Sequence, residues 1–182
     1  IAWTLTSFNL VFALSAVPAA FVARRRPREA FVVGILVFAV ASLGCGLAQS
    51  FEMLVAARCV QAVGAALLVT SALDLLSEVT GSDARAARFW VAAGVVGAAL
   101  GPAVGGVLTE LFGWEAIFLV QVPVALTTLA AVRGVRPQRV PEPAERPHLS
   151  ANAALFLLSG GLVAALFLVV LLLVDGWGMS PA

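Results

Sequence analysis

Polar and apolar positions in this chain fall into long blocks, not into the short alternations of a soluble fold. Apolar runs lie near residues 3–23, 30–49, 53–79, 86–111, 114–133 and 150–174, separated by short polar turns. At 1.5 Å rise per residue, roughly 20 apolar residues cross a bilayer core. Each run reaches about that length, and a helix apolar on all sides is at home in lipid. The pattern predicts an all-α, polytopic membrane bundle of six helices in 182 residues. Short loops leave no room for a soluble domain.

Composition strengthens this picture. Hydrophobic residues make up 62% of the chain and charged residues 12%, against roughly 45–50% apolar residues in soluble domains. Mean hydropathy is +1.04. A net charge of +1 gives no bias toward nucleic acid or other polyanions. Arg24, Arg25, Arg26 and Arg28 stand between two spans and read as a topology signal. Arg85 and Arg88, and then Arg133, Arg136, Arg139 and Arg146, follow the third and fifth spans. The positive-inside rule puts these loops in the cytoplasm and both ends of the chain outside. Trp3, Trp114 and Trp177 then fall at the outer interface and Trp90 near the inner one. Pro137, Pro141, Pro143 and Pro147 preclude a regular helix, so 134–149 reads as a cytoplasmic linker between 1–133 and 150–182. His148 at its end reads as a solvated loop residue. Cys45 and Cys59 read as small apolar core residues, and two thiols without a nearby His make no zinc site, so no metal is expected.

One run departs from plain apolar filling. Gly97, Gly101 and Gly105 stand four residues apart and stack on one helix face, with Pro102 in the same turn and Gly106 beyond. Proline removes one backbone donor and clashes with the carbonyl four residues back, so a bend is expected there. A smooth glycine face lets another helix approach closely in a membrane. The residues predict a bent helix packed tightly on a neighbour.

The whole ten-residue run Gly97-Ala98-Ala99-Leu100-Gly101-Pro102-Ala103-Val104-Gly105-Gly106 resembles the antiporter signature in the fifth helix of drug:proton antiporters of the major facilitator superfamily. Gly113-Trp114-Glu115-Ala116-Ile117-Phe118-Leu119-Val120-Gln121-Val122-Pro123 is similar to the start of the sixth helix in the multidrug and antibiotic-export branch. Arg58-Cys59-Val60-Gln61-Ala62-Val63-Gly64-Ala65-Ala66 resembles the fourth-helix R-x-x-Q-G-x-G-x-A, with Ala62 replacing a glycine. The loop between the family's helices two and three is matched less well: Arg25 and Arg28 fit, but Arg24 stands for an aspartate, and Ala20 and Pro27 for glycines. The resemblance spans nearly the whole chain and implies helices two to seven of a longer transporter. The chain is thus expected to be a fragment that needs further helices to enclose a pathway. It also implies export of a hydrophobic or amphipathic small molecule from a bacterial inner membrane, with a proton gradient and no cofactor.

Ionisable groups inside a span are costly and therefore functional candidates. Arg58 is the leading one, with Gln61 one turn away and Gly64 beyond it on the proton or substrate pathway; the resemblance implies a part for Arg58 in proton handling. Asp74 and Glu78 lie at the inner end of the same span, where negative charge opposes the helix dipole and calls for a basic partner. Arg25, Arg28 and Asp74 are the candidate cytoplasmic gate charges. Phe8, Phe12, Phe38 and Phe118 are candidate cavity aromatics. No carboxylate lies deep in a span, so the proton-carrying acid is not evident.

Other classes fit less well. An intramembrane protease needs an activated serine or an aspartate pair within spans; Ser159 has only His148 in the linker, and there is no aspartate pair. No enzyme is therefore expected. A non-transporting truncated membrane protein and a facilitator-type uptake transporter remain as alternatives, the latter opposed by the antiporter signature.

Overall fold

Each apolar run within the described residues folds as helix, and the breaks fall where local chemistry requires them. The computed structural model describes residues 2–132 with Gly134, Leu157 and Leu172, and side chains from Thr6 onward. The chain divides into two compact units, Ile1–Pro141 and Glu142–Ala182. The rest of the expected linker 134–149, the sixth span 150–174 with the segment 150–182, His148, Trp177 and the Trp3 side chain lie outside the described residues.

The first unit contains α1 (Ala2–Arg25), α2 (Pro27–Gly46), α3 (Phe51–Thr80), α4 (Asp83–Phe112), α5 (Glu115–Leu119) and α6 (Gln121–Val132). Five stretches are long and apolar enough to cross a membrane, α5 and α6 counting together as Glu115–Val132. They correspond to the first five predicted spans. Several starts are earlier than expected, because helix-starting residues extend into the polar turns. Pro27 opens α2, where its missing amide hydrogen is not needed. Ser50 caps α3, its Oγ accepting from the Met53 amide at 3.2 Å. The split between α5 and α6 has its cause in Pro123, which cannot donate to Leu119 and whose ring crowds that carbonyl. Gly81, at φ +63°, ends α3 in the left-handed conformation.

The interior is built from small residues. Ala19, Ala23, Ala30, Ala39, Ala41, Cys45, Ala62, Ala66 and Ala125 are buried, while the long side chains of Leu14, Phe21 and Val40 point outward. In lipid there is little hydrophobic gain from pairing helices, so close backbone contact must hold them. The α2–α3 crossing provides it. A Cβ on Gly64 would lie 2.7 Å from the Phe38 nitrogen, and one on Gly34 3.0 Å from Leu67 Cβ and the Leu68 nitrogen. The two helices run antiparallel in this register. Gly46 meets Leu119 in the same manner, bringing α5 onto the end of α2.

The fifth-helix signature behaves differently from expectation. α4 buries only Ala86, and a Cβ at Gly94, Gly97, Gly101, Gly105 or Gly106 would meet nothing within 4 Å. The neighbour expected against this face is not found among the described residues. The reason is topological: α4 packs on α3 and α5, and its glycine face is turned to neither. The helix runs on through Pro102 as one element.

The two glycine sets should therefore respond oppositely to alanine. Gly64→Ala overpacks the crossing and is expected to destabilise the bundle by about 1–3 kcal/mol. Gly101→Ala should be neutral or stabilising by up to about 1 kcal/mol, through helix propensity alone. Thermal unfolding of the full chain in lipid nanodiscs checks both, and equal losses would contradict the packing described.

Candidate functional site

The tight α2–α3 crossing brings two polar side chains within reach of each other inside an apolar bundle. Gln61, 1% exposed on α3, donates from Nε2 to Ser42 Oγ on α2 at 2.8 Å. The same Nε2 donates to Gln121 Oε1, at the first residue of α6, at 2.9 Å. Ser42 is fully buried; its hydroxyl lies 2.7 Å from the Phe38 carbonyl and 3.1 Å from Gln121 Oε1. One proton cannot serve both, and the shorter contact favours the carbonyl one turn back.

Arg58 sets the polarity of this network. A guanidinium only donates, so Gln61 turns Oε1 toward it and accepts from its terminal nitrogen at 2.7 Å. That leaves Gln61 Nε2 to donate outward, and Gln121 must answer with its oxygen. Counting from Phe51, Arg58 lies roughly 10 Å along α3 at 1.5 Å per residue, two residues deeper than the predicted span start implied. Its charge is also covered by aromatic faces: the central guanidinium carbon lies 4.2 Å from the Phe8 ring centroid and 5.5 Å from that of Phe118. Phe8 stacks on Phe12 at 6.2 Å, and Phe118 meets Trp114 edge-on at 6.1 Å. An arginine in mid-bilayer costs about 2.5–3.5 kcal/mol on insertion scales. Cation–π contacts return about 0.5–2 kcal/mol each, so hydrogen bonds and rings together offset much of that.

The predicted site residues thus divide into three groups. Arg58 and Gln61 come together as expected, with Phe8 and Phe118 from the candidate aromatics. Gly64 sits on the helix crossing one turn from Gln61 and lets Ser42 come close. Gly97, Gly101, Pro102, Gly105 and Gly106 lie on α4, away from the network, half-buried at Gly105 and exposed at the other four. Arg25, Arg28 and Asp74 belong to the opposite end of the bundle. The antiparallel register that sets Gly34 against Leu68 and Phe38 against Gly64 runs on to bring Arg28 level with Asp74. Both residues take part in interactions there. The Ser77 hydroxyl donates to Asp83 across the α3–α4 turn, and Arg26 pairs with Glu29 at 2.9 Å on the exposed α1–α2 turn.

Ser42 and Gln121 are the residues that sequence reasoning missed. Gln121 stood in a quoted motif without a role, and Ser42 reads as one more small residue. Their signal was polarity within a span. Gln121 also lines an apolar cavity of about 370 Å³ with Phe31, Ile35, Phe38, Leu68 and Trp90. Cys45 and Cys59 are free thiols, Cys45 buried. Among the described residues no cluster of His, Cys, Asp and Glu could hold a metal ion.

Comparison with known proteins agrees with this architecture. The sequence model of the Major Facilitator Superfamily matches residues 1–180. The methylenomycin A resistance protein of Bacillus subtilis is 35% identical over 171 residues, covering 90% of this chain and 36% of that protein. The drug efflux pump JefA of Mycobacterium tuberculosis is 36% identical over 148 residues, 79% of this chain and 29% of the pump. The tetracenomycin C resistance and export protein of Streptomyces glaucescens is 36% identical over 174 residues, 90% and 32% respectively. The chain spans about a third of the length of these relatives.

The network should act as a unit. Gln61→Leu and Gln121→Leu each leave a partner unsatisfied and are expected to cost about 1–3 kcal/mol. Their double variant should fall short of the sum by about 0.5–2 kcal/mol. Additive losses in a double-mutant cycle of unfolding would show that the two amides are not coupled.

Proposed function

The chain belongs to the Major Facilitator Superfamily, and from that premise we propose that it forms part of an exporter of hydrophobic small molecules. The observation that carries this reading is the Arg58–Gln61–Ser42–Gln121 network, a cation with ordered polar partners among otherwise apolar spans. A cation there has no purpose in a purely structural helix pair, which the glycine crossing already holds. The relatives' names, drug efflux pump and tetracenomycin C resistance and export protein, support export as the direction of transport. The mechanism is alternating access, with substrate admitted near the bilayer midplane between two bundles. The cell supplies the energy as a proton gradient across the bacterial inner membrane. Arg58 acts in coupling by responding to charge that enters and leaves beside it. The basic turns at Arg24–Arg28 and Arg85–Arg88 face the cytoplasm, which puts Arg58 toward the outer half of the membrane.

Arg28 and Asp74 have the placement of a cytoplasmic gate. An ion pair between them would favour the state closed to the inside and would have to open for substrate to enter.

Two experiments test this reading. Everted vesicles carrying the full-length protein should accumulate a hydrophobic antibiotic when the pH gradient is imposed, and collapsing that gradient with nigericin should stop uptake. Arg58→Gln should lower the rate about tenfold or more, equivalent to some 1.4 kcal/mol or more of lost transition-state stabilisation. Uptake that survives nigericin rules out proton coupling. For the gate, Arg28→Asp and Asp74→Arg should each depress transport, and the double reversal should restore part of it; no recovery means the two charges do not pair.

A further inference from the structure

Arg58 uses one guanidinium donor on Gln61 Oε1. Among the described residues it makes no ion pair with a carboxylate. Among the described residues its remaining N–H donors have no acceptor, although the residue is half-buried and sits within a span. A charge in that position needs an anion, and a guanidinium presents its donors as a planar fork that fits a carboxylate two bonds at a time. The aromatic groups tell what else the anion should carry. Phe8, stacked on Phe12, and Phe118, edge-on to Trp114, each present a ring to the cation. They provide apolar, flat surface directly beside the fork.

We propose that Arg58 binds the carboxylate of an apolar organic acid, preferably an aromatic one, whose body lies along Phe8 and Phe118. This rests on the export reading above and narrows its substrates to a class that includes amphipathic monoanions. A cationic ligand meets like charge here, and the two amide oxygens of the network are engaged, Gln61 Oε1 by Arg58 and Gln121 Oε1 by Gln61. A neutral molecule of the same shape fills the aromatic surface but leaves the fork unanswered. The discrimination therefore lies between charge states of one skeleton, which a general hydrophobic cavity would not make. Ser42 and Gln121 serve this site as positioning residues, since they orient Gln61 and through it the guanidinium.

The test uses the full-length protein in lipid nanodiscs with naphthoate and its uncharged isostere naphthamide, bound amounts being read by equilibrium dialysis. Naphthoate should bind about tenfold or more tighter than naphthamide. Arg58→Gln should remove that preference and leave both ligands at the naphthamide affinity. Arg58→Lys, which keeps the charge and guards against misfolding, should retain a smaller preference because the fork is lost. Joint substitution Phe8→Leu and Phe118→Leu should weaken both ligands while keeping their ratio. Equal binding of the two ligands to the unaltered protein overturns the proposal, as it does if a carboxylate of the protein already fills the fork. A preference that survives Arg58→Gln overturns it as well. The export reading fails separately: if naphthoate binds with the stated preference but neither it nor neutral antibiotics are transported, the site stands and the transport assignment falls.

Discussion

A guanidinium among membrane-spanning helices can only donate, and the arrangement around it follows from that constraint. One of its hydrogen bonds goes to a side-chain oxygen, that of Gln61. Gln61 accepts at one end and donates at the other, which passes the polarity of the charge on to Ser42 and Gln121. Four spans contribute to the same few ångströms: α1 through Phe8, α2 through Ser42, α3 through Arg58 and Gln61, and the joined α5 and α6 through Phe118 and Gln121. Their convergence there gathers Arg58, Gln61, Ser42 and Gln121 in one place, whereas buried Ser71 bonds back to a carbonyl of its own helix.

Such a site forms only if backbones come close, because serine is short. Hydrogen-bonding Gln61 to Ser42 at 2.8 Å requires α2 and α3 to touch nearly main chain to main chain. Gly64 and Gly34 allow it one and two turns away. Packing and chemistry are thus linked through residue size: a methyl group at Gly64 would push Phe38 away and carry Ser42, four residues on, out of reach of Gln61. The helix break before Pro123 has a comparable role. It is the turn from which Gln121 starts α6, with Phe118 in the last turn of α5, so one proline positions both the amide and the ring.

Much of this was legible in the sequence because membrane helices carry strong one-dimensional signals. The five described spans follow from apolar length alone, and Arg58 with Gln61 follows from charge and spacing within one helix. What was not legible depends on contacts between helices. Ser42 is indistinguishable from the many small residues of α2 until its partner on α3 is known. Gly64 and Gly101 look alike in sequence, yet one is wedged against Phe38 and the other meets none of the described residues within 4 Å. Periodicity tells which residues share a face, but not what that face meets. The break at Val120 lies inside the expected span 114–133, and it becomes legible only when Pro123 is read as a missing backbone donor to Leu119.

The contrast between the two glycine sets bears on how the bundle can move. A glycine face already in contact, as at Gly34 and Gly64, fixes a helix pair, since sliding it would drive Phe38 and Leu67 into the opposing backbone. An unoccupied face as long as that from Gly94 to Gly106 imposes no such restriction on α4. Helices α2 and α3 therefore form the rigid part that holds Ser42 and Gln61 together. α4 is tied to α3 by the short turn at Ser77–Asp83 and to α5 through Gly113. Within this unit the geometry of the α2–α3 pair is over-determined, because the same backbone contact that seats Gly64 against Phe38 also holds Ser42 on Gln61. α4 carries the opposite kind of surface, a smooth face that meets none of the described residues within 4 Å and against which a helix could pack closely without disturbing a hydrogen bond.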